Sequence, residues 1–205
     1  LGIPAMTAHR ALFCDGGVAG KTVLVTGGAG AVGHSAIQIA RWAGAEKIIT
    51  TVSSAAKAAI AMAAGADHVI NYRQQDVVEA VLADTDGAGV DHIVEVELGG
   101  NLAQSSKVIA EHGTIARYGS EAVREPVFAA YPLMFRNVTL QGIFLYAITP
   151  EQRASAIADI TSALEAGLLR PLIDSAWALE ETVKAHERVE SGERSGAVIV
   201  QPGGV

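Results

Sequence analysis

The sequence predicts a doubly wound α/β fold built on a parallel six-stranded sheet, and three observations carry that expectation. β-Branched apolar runs alternate with helical periodicity from Thr22 to Leu145. The links between these runs are short, and each strand pattern hands over to a helix pattern, an order that calls for crossovers and hence parallel strands. The first unit, Val23-Leu-Val-Thr-Gly-Gly-Ala-Gly-Ala-Val-Gly-His34, sets Gly28-x-Gly30-x-x-Gly33 between a strand pattern and a helix pattern. Glycines at this spacing permit a tight turn, close approach of the backbone to a pyrophosphate, and packing of the helix on its strand. The free N–H groups at the helix start then face the phosphates.

Each element follows from its own pattern. Leu1 to Gly20 reads as a helical lead-in, with turn signals at Asp15-Gly-Gly17 and Gly20. Strands are predicted at Thr22–Thr26, Lys47–Val52, His68–Asn71, Val90–Val96, Thr114–Tyr118 and Val138–Leu145. Helices are predicted at Val32–Gly44, Ser54–Ala64, Asp76–Asp84 and Leu102–Ala110, with stops at Gly65, Asp86-Gly87 and Gly113. In the first of them, Val32, Ala36, Ile39 and Ala40 recur at helical spacing toward the sheet. After Pro150 the alternation slackens. A long helix is expected over Glu151–Ala166, a short strand at Leu172–Ile173, an amphipathic helix over Glu180–Glu190 and a last strand at Ala197–Val200. In such sheets ligands sit beyond the carboxyl ends of the strands. Here those ends are Thr26–Gly30, Val52–Ser54, Asn71–Tyr72, Val96–Gly100 and Tyr118–Ser120, which are expected to converge on one crevice.

Composition narrows the function. The chain has 205 residues, 50% hydrophobic and 18% charged, enough for a full core. Mean hydropathy is +0.30. With no apolar run of about 18 residues, that value points to buried parallel strands rather than a membrane span. It also suggests a face that meets another domain or subunit. A net charge of −7 without a basic stripe argues against nucleic acid. Cys14 is the single cysteine, so no intrachain disulfide or cysteine-based zinc cluster is expected, in keeping with a cytoplasmic setting. No signal peptide is visible, and a chain opening on Leu1 reads as a fragment, a processed product or a partial chain. None of the six histidines forms a metal-ligand spacing, and His34 and Cys14 read as packing residues. Glu95 and Glu97 alternate onto one strand face and read as a strand end exposed at the crevice. Ser53-Ser54 and Ser105-Ser106 lack a nucleophile elbow, which excludes a serine hydrolase.

The choice of nucleotide is also written here. An NAD site usually carries Asp or Glu about 20 residues past the glycines, on the ribose 2′-OH. That count from Gly33 reaches Ser53, and Ile48 to Lys57 contains no acid. Hydroxyls and an ammonium suit a 2′-phosphate, so Ser53, Ser54 and Lys57 are the candidates for an NADPH clamp. Tyr72 is placed to pack on the adenosine or to donate its hydroxyl.

Thr7-Ala8…Ala11-Leu12, the glycine turn from Gly20 to Gly33, Gln38-Ile-Ala-Arg41…Gly44, Gly65-Ala66, Asn71-Tyr-Arg73 and Gly119 together resemble the zinc-independent quinone oxidoreductases of the medium-chain dehydrogenase/reductase superfamily. The resemblance spans nearly the whole chain. It implies a Rossmann-type domain over residues 21–166, a junction helix over 1–20 and a segment over 167–205 that returns toward a GroES-like catalytic domain lying before Leu1. It implies NADPH as cofactor, hydride transfer to a quinone or similar enone, and a homodimer paired through the edge strand at residues 138–145. It assigns cofactor contacts to Ala29, Gly30, Ala31 and Val32, to Ser53, Lys57 and Tyr72, to Tyr118, Gly119 and Ser120, to Ile143, Phe144 and Leu145, and to Thr7 beside the nicotinamide ring. It assigns no catalytic side chain and no metal ligand. Glu95-Val-Glu-Leu-Gly-Gly100 departs from the family's Asp-x-Val-Gly-Gly, and Glu97 is an additional acid. The lead-in helix and Ala197–Val200 are then expected to be partly uncovered or satisfied by another contact. With half of the acceptor pocket outside the chain, little turnover is expected from it alone. An enoyl reductase of the same superfamily, a non-catalytic nucleotide-binding module and a ligand-free structural protein are the competing readings.

Overall fold

The structure is a computed structural model in which residues 2–128 and 130–203 are described. Strands β1 (Thr22–Val25), β2 (Lys47–Val52), β3 (His68–Asn71), β4 (Val90–Glu95), β5 (Ile109–Arg117) and β6 (Thr139–Gly142) form one parallel sheet. Its order is β3-β2-β1-β4-β5-β6, so the strand order reverses between β1 and β4 and opens a crevice at their carboxyl ends. The doubly wound six-stranded expectation holds.

One face carries α1 (Gly2–Leu12), α2 (Ala31–Trp42), α3 (Ala55–Ala63) and α7 (Pro150–Glu165) around a core that includes Ala8, Leu12, Val23, Ala36, Ile39 and Ala156. The other carries α4 (Val77–Asp84), α5 (Leu98–Val108) and the short α6 (Ala130–Met134), packed through Val81, Leu102 and Leu133 on Leu24, Ile93 and Ile115. Ala5, Ala8, Ala11 and Leu12 of α1 are fully buried against α2 and α7. The lead-in helix is thus satisfied by another contact, and its alanine stripe lets the helices approach closely. It ends at Leu12 rather than near Gly20, because Gly16 and Gly17 take positive φ; Leu1 lies outside the described residues. His9 Nε2 lies 2.8 Å from Asp159 Oδ2 and fixes α1 to α7.

After α7 the chain leaves the main sheet. β7 (Ile173–Ala178), α8 (Thr182–Glu190) and β8 (Ala197–Gln201) make a separate lobe with a two-stranded parallel sheet.

Several boundaries differ from the sequence expectation. The fifth helix starts at Leu98 rather than Leu102: Leu98 is buried and Gly99 lies tight under the loop at Ser120 and Val123. β5 begins at Ile109, passes a register shift with His112 at φ +60, and pairs regularly from Thr114. β6 stops at Gly142, where its partner strand ends at Arg117, and the chain turns through a 3₁₀ segment at Leu145–Ala147. β7 runs to Ala178, beyond the expected Leu172–Ile173, because pairing with β8 holds a segment whose Asp174 and Ser175 mask the apolar pattern. The short α6 had no periodic signal. No helix among the described residues is long and apolar enough to cross a membrane.

Candidate nucleotide-binding site

The glycine turn is shaped by close approaches that only glycine permits. A Cβ on Gly28 would lie 2.1 Å from Thr50 Oγ1, and one on Gly33 would lie 2.2 Å from the Gly27 carbonyl. Gly27 itself has φ +72. At Gly30 a Cβ would meet only the Gly27 carbonyl, at 3.2 Å, so the face of the turn is left bare. Gly30 is the N-cap of α2 and offers no side-chain cap. The first-turn N–H groups at Ala31, Val32 and Gly33 therefore have no acceptor within the helix, and they gather positive potential at its start.

The ends of β2 and β3 form the next part of the site. Ser54 caps α3, its Oγ accepting from the Lys57 N–H at 3.3 Å. That engages one of the hydroxyls proposed for the clamp and leaves Ser53 on the cavity wall. Gly27, Ala29, Gly30, Ser53, Lys57 and Tyr72 line one cavity of about 250 Å³. Arg194 lines the same cavity, and no carboxylate does. Gly27, Tyr72 and Val96 are shared with a deeper cavity of about 520 Å³, which runs between α4 and α5 toward Val108. The two spaces make one cleft across the strand-order reversal.

Arg194 is the residue that the sequence reading missed. It lies far along the chain in Gly192-Glu-Arg-Ser-Gly196, at no fixed spacing from the glycines; a cation inside a glycine-flanked turn was its one signal. The Gly196 N–H donates to the Ala29 carbonyl at 2.9 Å, bringing this turn onto the glycine loop. Asp174 holds it there: Arg188 Nε and Nη2 donate to its two oxygens at 2.9 and 2.8 Å, and the Ser195 N–H donates at 2.9 Å. Arg188 beside it, helped by Ser195, keeps the Asp174 carboxyl well below the usual carboxylate range despite some burial. Lys57 Nζ adds a bond to the Gly192 carbonyl at 3.2 Å.

Of the two acids at the end of β4, Glu97 lines the deeper cavity as expected, and Glu95 departs from the expectation. Glu95 is not an exposed strand end; it is fully buried. Its Oε1 accepts from Thr26 Oγ1, the Glu97 N–H and Asn101 Nδ2, and its Oε2 accepts from Ser105 Oγ. This network sews the ends of β1 and β4 to α5. Glu97 accepts the N–H groups of Glu121, Ala122 and Val123, tying the loop after β5 to the start of α5. Those backbone bonds outweigh desolvation and lower its pKa.

The remaining candidates are placed elsewhere. Tyr118 packs on the core, and burial together with the Glu95 charge raises its phenol pKa. Ser120 Oγ donates to the Val123 carbonyl and accepts from the Gly99 N–H. Tyr118, Gly119 and Ser120 line none of these cavities. Ile143 and Phe144 line a third cavity, away from the glycine turn, and Thr7 is buried on α1. His34 is a packing residue as read: Gln38 Nε2 lies 2.8 Å from its Nδ1, and burial lowers its pKa. Among the described residues no three His, Cys, Asp or Glu side chains group as metal ligands.

Comparison with known proteins adds the lineage. Residues 31–162 match the sequence model of the zinc-binding dehydrogenase family. The human quinone oxidoreductase (Homo sapiens) is 32% identical over 198 residues, covering 96% of this chain and 59% of that protein. A mycobacterial protein solved in complex with NADPH superposes with a TM-score of 0.89 at 28% identity, over 98% of this chain and 63% of its own. The CurK enoyl reductase superposes with a TM-score of 0.84 at 26% identity, over 98% and 60%. The chain thus spans less than two thirds of the length of each of these relatives. With its sheet order and glycine turn, these matches establish that the chain belongs to the zinc-binding dehydrogenase family within the medium-chain dehydrogenase/reductase superfamily, as a relative of the quinone oxidoreductases.

Proposed function

We propose that this chain holds NADPH for an oxidoreductase that passes hydride to a quinone or a similar enone. One observation carries the reading: Lys57 and Arg194 flank the glycine turn in a cavity of about 250 Å³ whose wall has no carboxylate. Two cations from separate elements suit a phosphate beyond the pyrophosphate, whereas an NAD site would present an acid. A bound nicotinamide supplies the hydride; the chain's residues orient and shield it. The bare amides at Ala31 and Val32 take the pyrophosphate, Ser53, Lys57 and Arg194 the 2′-phosphate, and Tyr72 packs on the adenosine, which enters the deeper cavity. Thr7, Gly119, Ser120 and the backbone at Ile143, Phe144 and Leu145 are assigned to the nicotinamide end by resemblance alone. Tyr118 contributes only its backbone, since its ring is turned into the core.

We assign residues 21–166 to the nucleotide-binding domain, 1–20 to the junction helix and 167–205 to the segment that returns toward a substrate domain, and we treat the enzyme as zinc-independent. A two-fold partner is assigned to β6, where every residue is exposed and Leu140, Phe144 and Tyr146 lie open. An enoyl reductase is the second reading, favoured by the likeness to the CurK enoyl reductase.

The decisive experiment compares NADPH and NADH binding by calorimetry. NADPH is expected to bind at least tenfold tighter, with the difference lost in Lys57→Ala. Equal affinities, unchanged by that substitution, overturn the reading.

A further inference from the structure

Between β5 and α6 the chain forms no helix or strand from Tyr118 to Phe128. Its course beside the nucleotide cleft is nonetheless defined. Val96 lines both cavities of that cleft, and Gly119 passes so close to the Val96 carbonyl that a Cβ would not fit. The Gly119 carbonyl accepts the Leu98 N–H at 3.1 Å. Beyond it, no backbone carbonyl among the described residues takes the N–H groups of Glu121, Ala122 and Val123. All three converge on the Glu97 carboxylate: Glu121 and Ala122 donate to Oε2 at 2.8 and 3.0 Å, and Val123 to Oε1 at 3.4 Å. Ser120 Oγ accepts the Gly99 N–H and donates to the Val123 carbonyl, which closes the loop onto the first turn of α5. The loop's own cation, Arg124, pairs with Glu121 instead of Glu97.

Successive N–H groups turned to one centre make a nest for an anion, and a carboxylate held there forms charge-assisted bonds stronger than a neutral acceptor would. Both Glu97 oxygens are thus turned to the loop. The sheet order β3-β2-β1-β4-β5-β6 divides the cleft into two mononucleotide halves, one on β1 to β3 and one on β4 to β6. Ser53, Lys57 and Tyr72 belong to the first half, so the loop after β5 falls in the half left for the nicotinamide mononucleotide. We infer that Glu97 is a positioning residue: its carboxylate fixes the loop over residues 119–123 so that the second half of the cleft grips the nicotinamide end. The inference rests on the NADPH reading and adds to it an acid that the family's Asp-x-Val-Gly-Gly pattern lacks.

The test compares NADPH with 2′,5′-ADP, which carries the adenosine and the 2′-phosphate but no nicotinamide, on the intact protein. Glu97→Ala is expected to lower NADPH affinity at least about tenfold more than 2′,5′-ADP affinity, the scale of a charge-assisted bond. Glu97→Gln, which keeps one acceptor oxygen and no charge, should fall between the wild type and Glu97→Ala. Amide hydrogen exchange at residues 121–123 is expected to speed up in Glu97→Ala and, in the wild type, to slow with NADPH but not with 2′,5′-ADP. Equal weakening of both nucleotides would mean that Glu97 serves the fold or the adenosine, and overturns the inference. So does exchange at residues 121–123 that is unchanged in Glu97→Ala, or freed amides with NADPH affinity intact. A wild type that binds neither nucleotide overturns the NADPH reading and this inference with it. A wild type that binds both, with no difference between them in Glu97→Ala, overturns the inference alone.

Discussion

Strands β2 and β7 are each six residues long, yet five residues of β2 are buried and none of β7 is. β2 reads Lys-Ile-Ile-Thr-Thr-Val and lies inside the main sheet with helices on both faces. β7 reads Ile-Asp-Ser-Ala-Trp-Ala and pairs with β8 alone. The first region is held by apolar burial that no single side chain controls. The second depends on one carboxylate, Asp174, which gathers Arg188 and Ser195. These two regions form opposite walls of the same cavity: Gly30 and Lys57 come from the main sheet, Arg194 from the lobe. The nucleotide site therefore has one wall fixed by the core and one shaped by the Asp174 network and tied to the first through the Gly196–Ala29 and Lys57–Gly192 bonds. The cation on the second wall can move only with the lobe.

Breaking the fixed wall should have the largest effect. Gly33→Ala would drive a Cβ to 2.2 Å from the Gly27 carbonyl, a backbone contact that no rotamer relieves. The expected outcome is loss of NADPH binding by more than about 100-fold, with destabilisation of roughly 1–3 kcal/mol from overpacking. Gly30→Ala is the sharper companion, because its Cβ at 3.2 Å leaves the fold nearly intact while covering the bare amides. Calorimetry and melting curves on the two variants separate loss of fold from loss of cradle. A Gly33→Ala protein with unchanged melting and binding would show that the wall yields.

The two cations come next and compare the walls directly. Lys57→Ala and Arg194→Ala should each weaken NADPH about 10- to 100-fold, the scale of a charge-assisted hydrogen bond, and leave NADH within about twofold. Each substitution also removes a bond within the turn that forms the second wall: Arg194→Ala the one to the Gly196 carbonyl, Lys57→Ala the one to the Gly192 carbonyl. Losses of similar size are therefore expected for the two variants. Equal losses for NADPH and NADH in either variant would show that the residue does not read the 2′-phosphate.

The difference between the walls also explains what the sequence could show. The main sheet was legible because its strands are continuous apolar runs and its turns are glycines at fixed spacing: β2 and β3 lie where the pattern put them. The starts of α3 and α4, expected at Ser54 and Asp76, were legible for the same local reason, and these two residues are the N-caps. Arg194 was not, since its place depends on a contact between Gly196 and Ala29, 167 residues apart, made by backbone atoms that leave no side-chain signature. Glu95 was misread for a related reason. An acid at a strand end usually faces solvent, and the donors from Thr26, Asn101, Ser105 and the Glu97 N–H make its burial tolerable. β7 was cut short because its stabilising residue is polar, so the feature that holds it also hides it from a hydrophobic pattern.

Acid should separate the walls most gently. The Asp174 carboxyl is held well below its usual value by the bonds from Arg188 and Ser195, so its folded pKa lies under the unfolded value of about 4. A depressed carboxylate contributes stability above the unfolded pKa and loses it as pH falls toward the folded one. Asp15 is lowered too: burial opposes it, but His92 at 3.4 Å and Lys21 at 3.3 Å prevail. Protonating Asp15 leaves the buried apolar contacts of the main sheet in place, whereas protonating Asp174 removes the lobe's one bidentate latch. The chain has two tryptophans, Trp42 on α2 and Trp177 on β7, one in each region. Fluorescence of Trp42→Phe and Trp177→Phe variants, titrated from about pH 6 to about pH 2, should show Trp177 changing at higher pH than Trp42. Asp174→Asn should bring Trp177 to its acid signal already at neutral pH, with a loss of NADPH affinity no larger than that of Arg194→Ala, about 10- to 100-fold, because Arg194 moves with the lobe. Coincident transitions at both tryptophans would mean that lobe and sheet unfold as one unit and that the latch is not what holds the second wall.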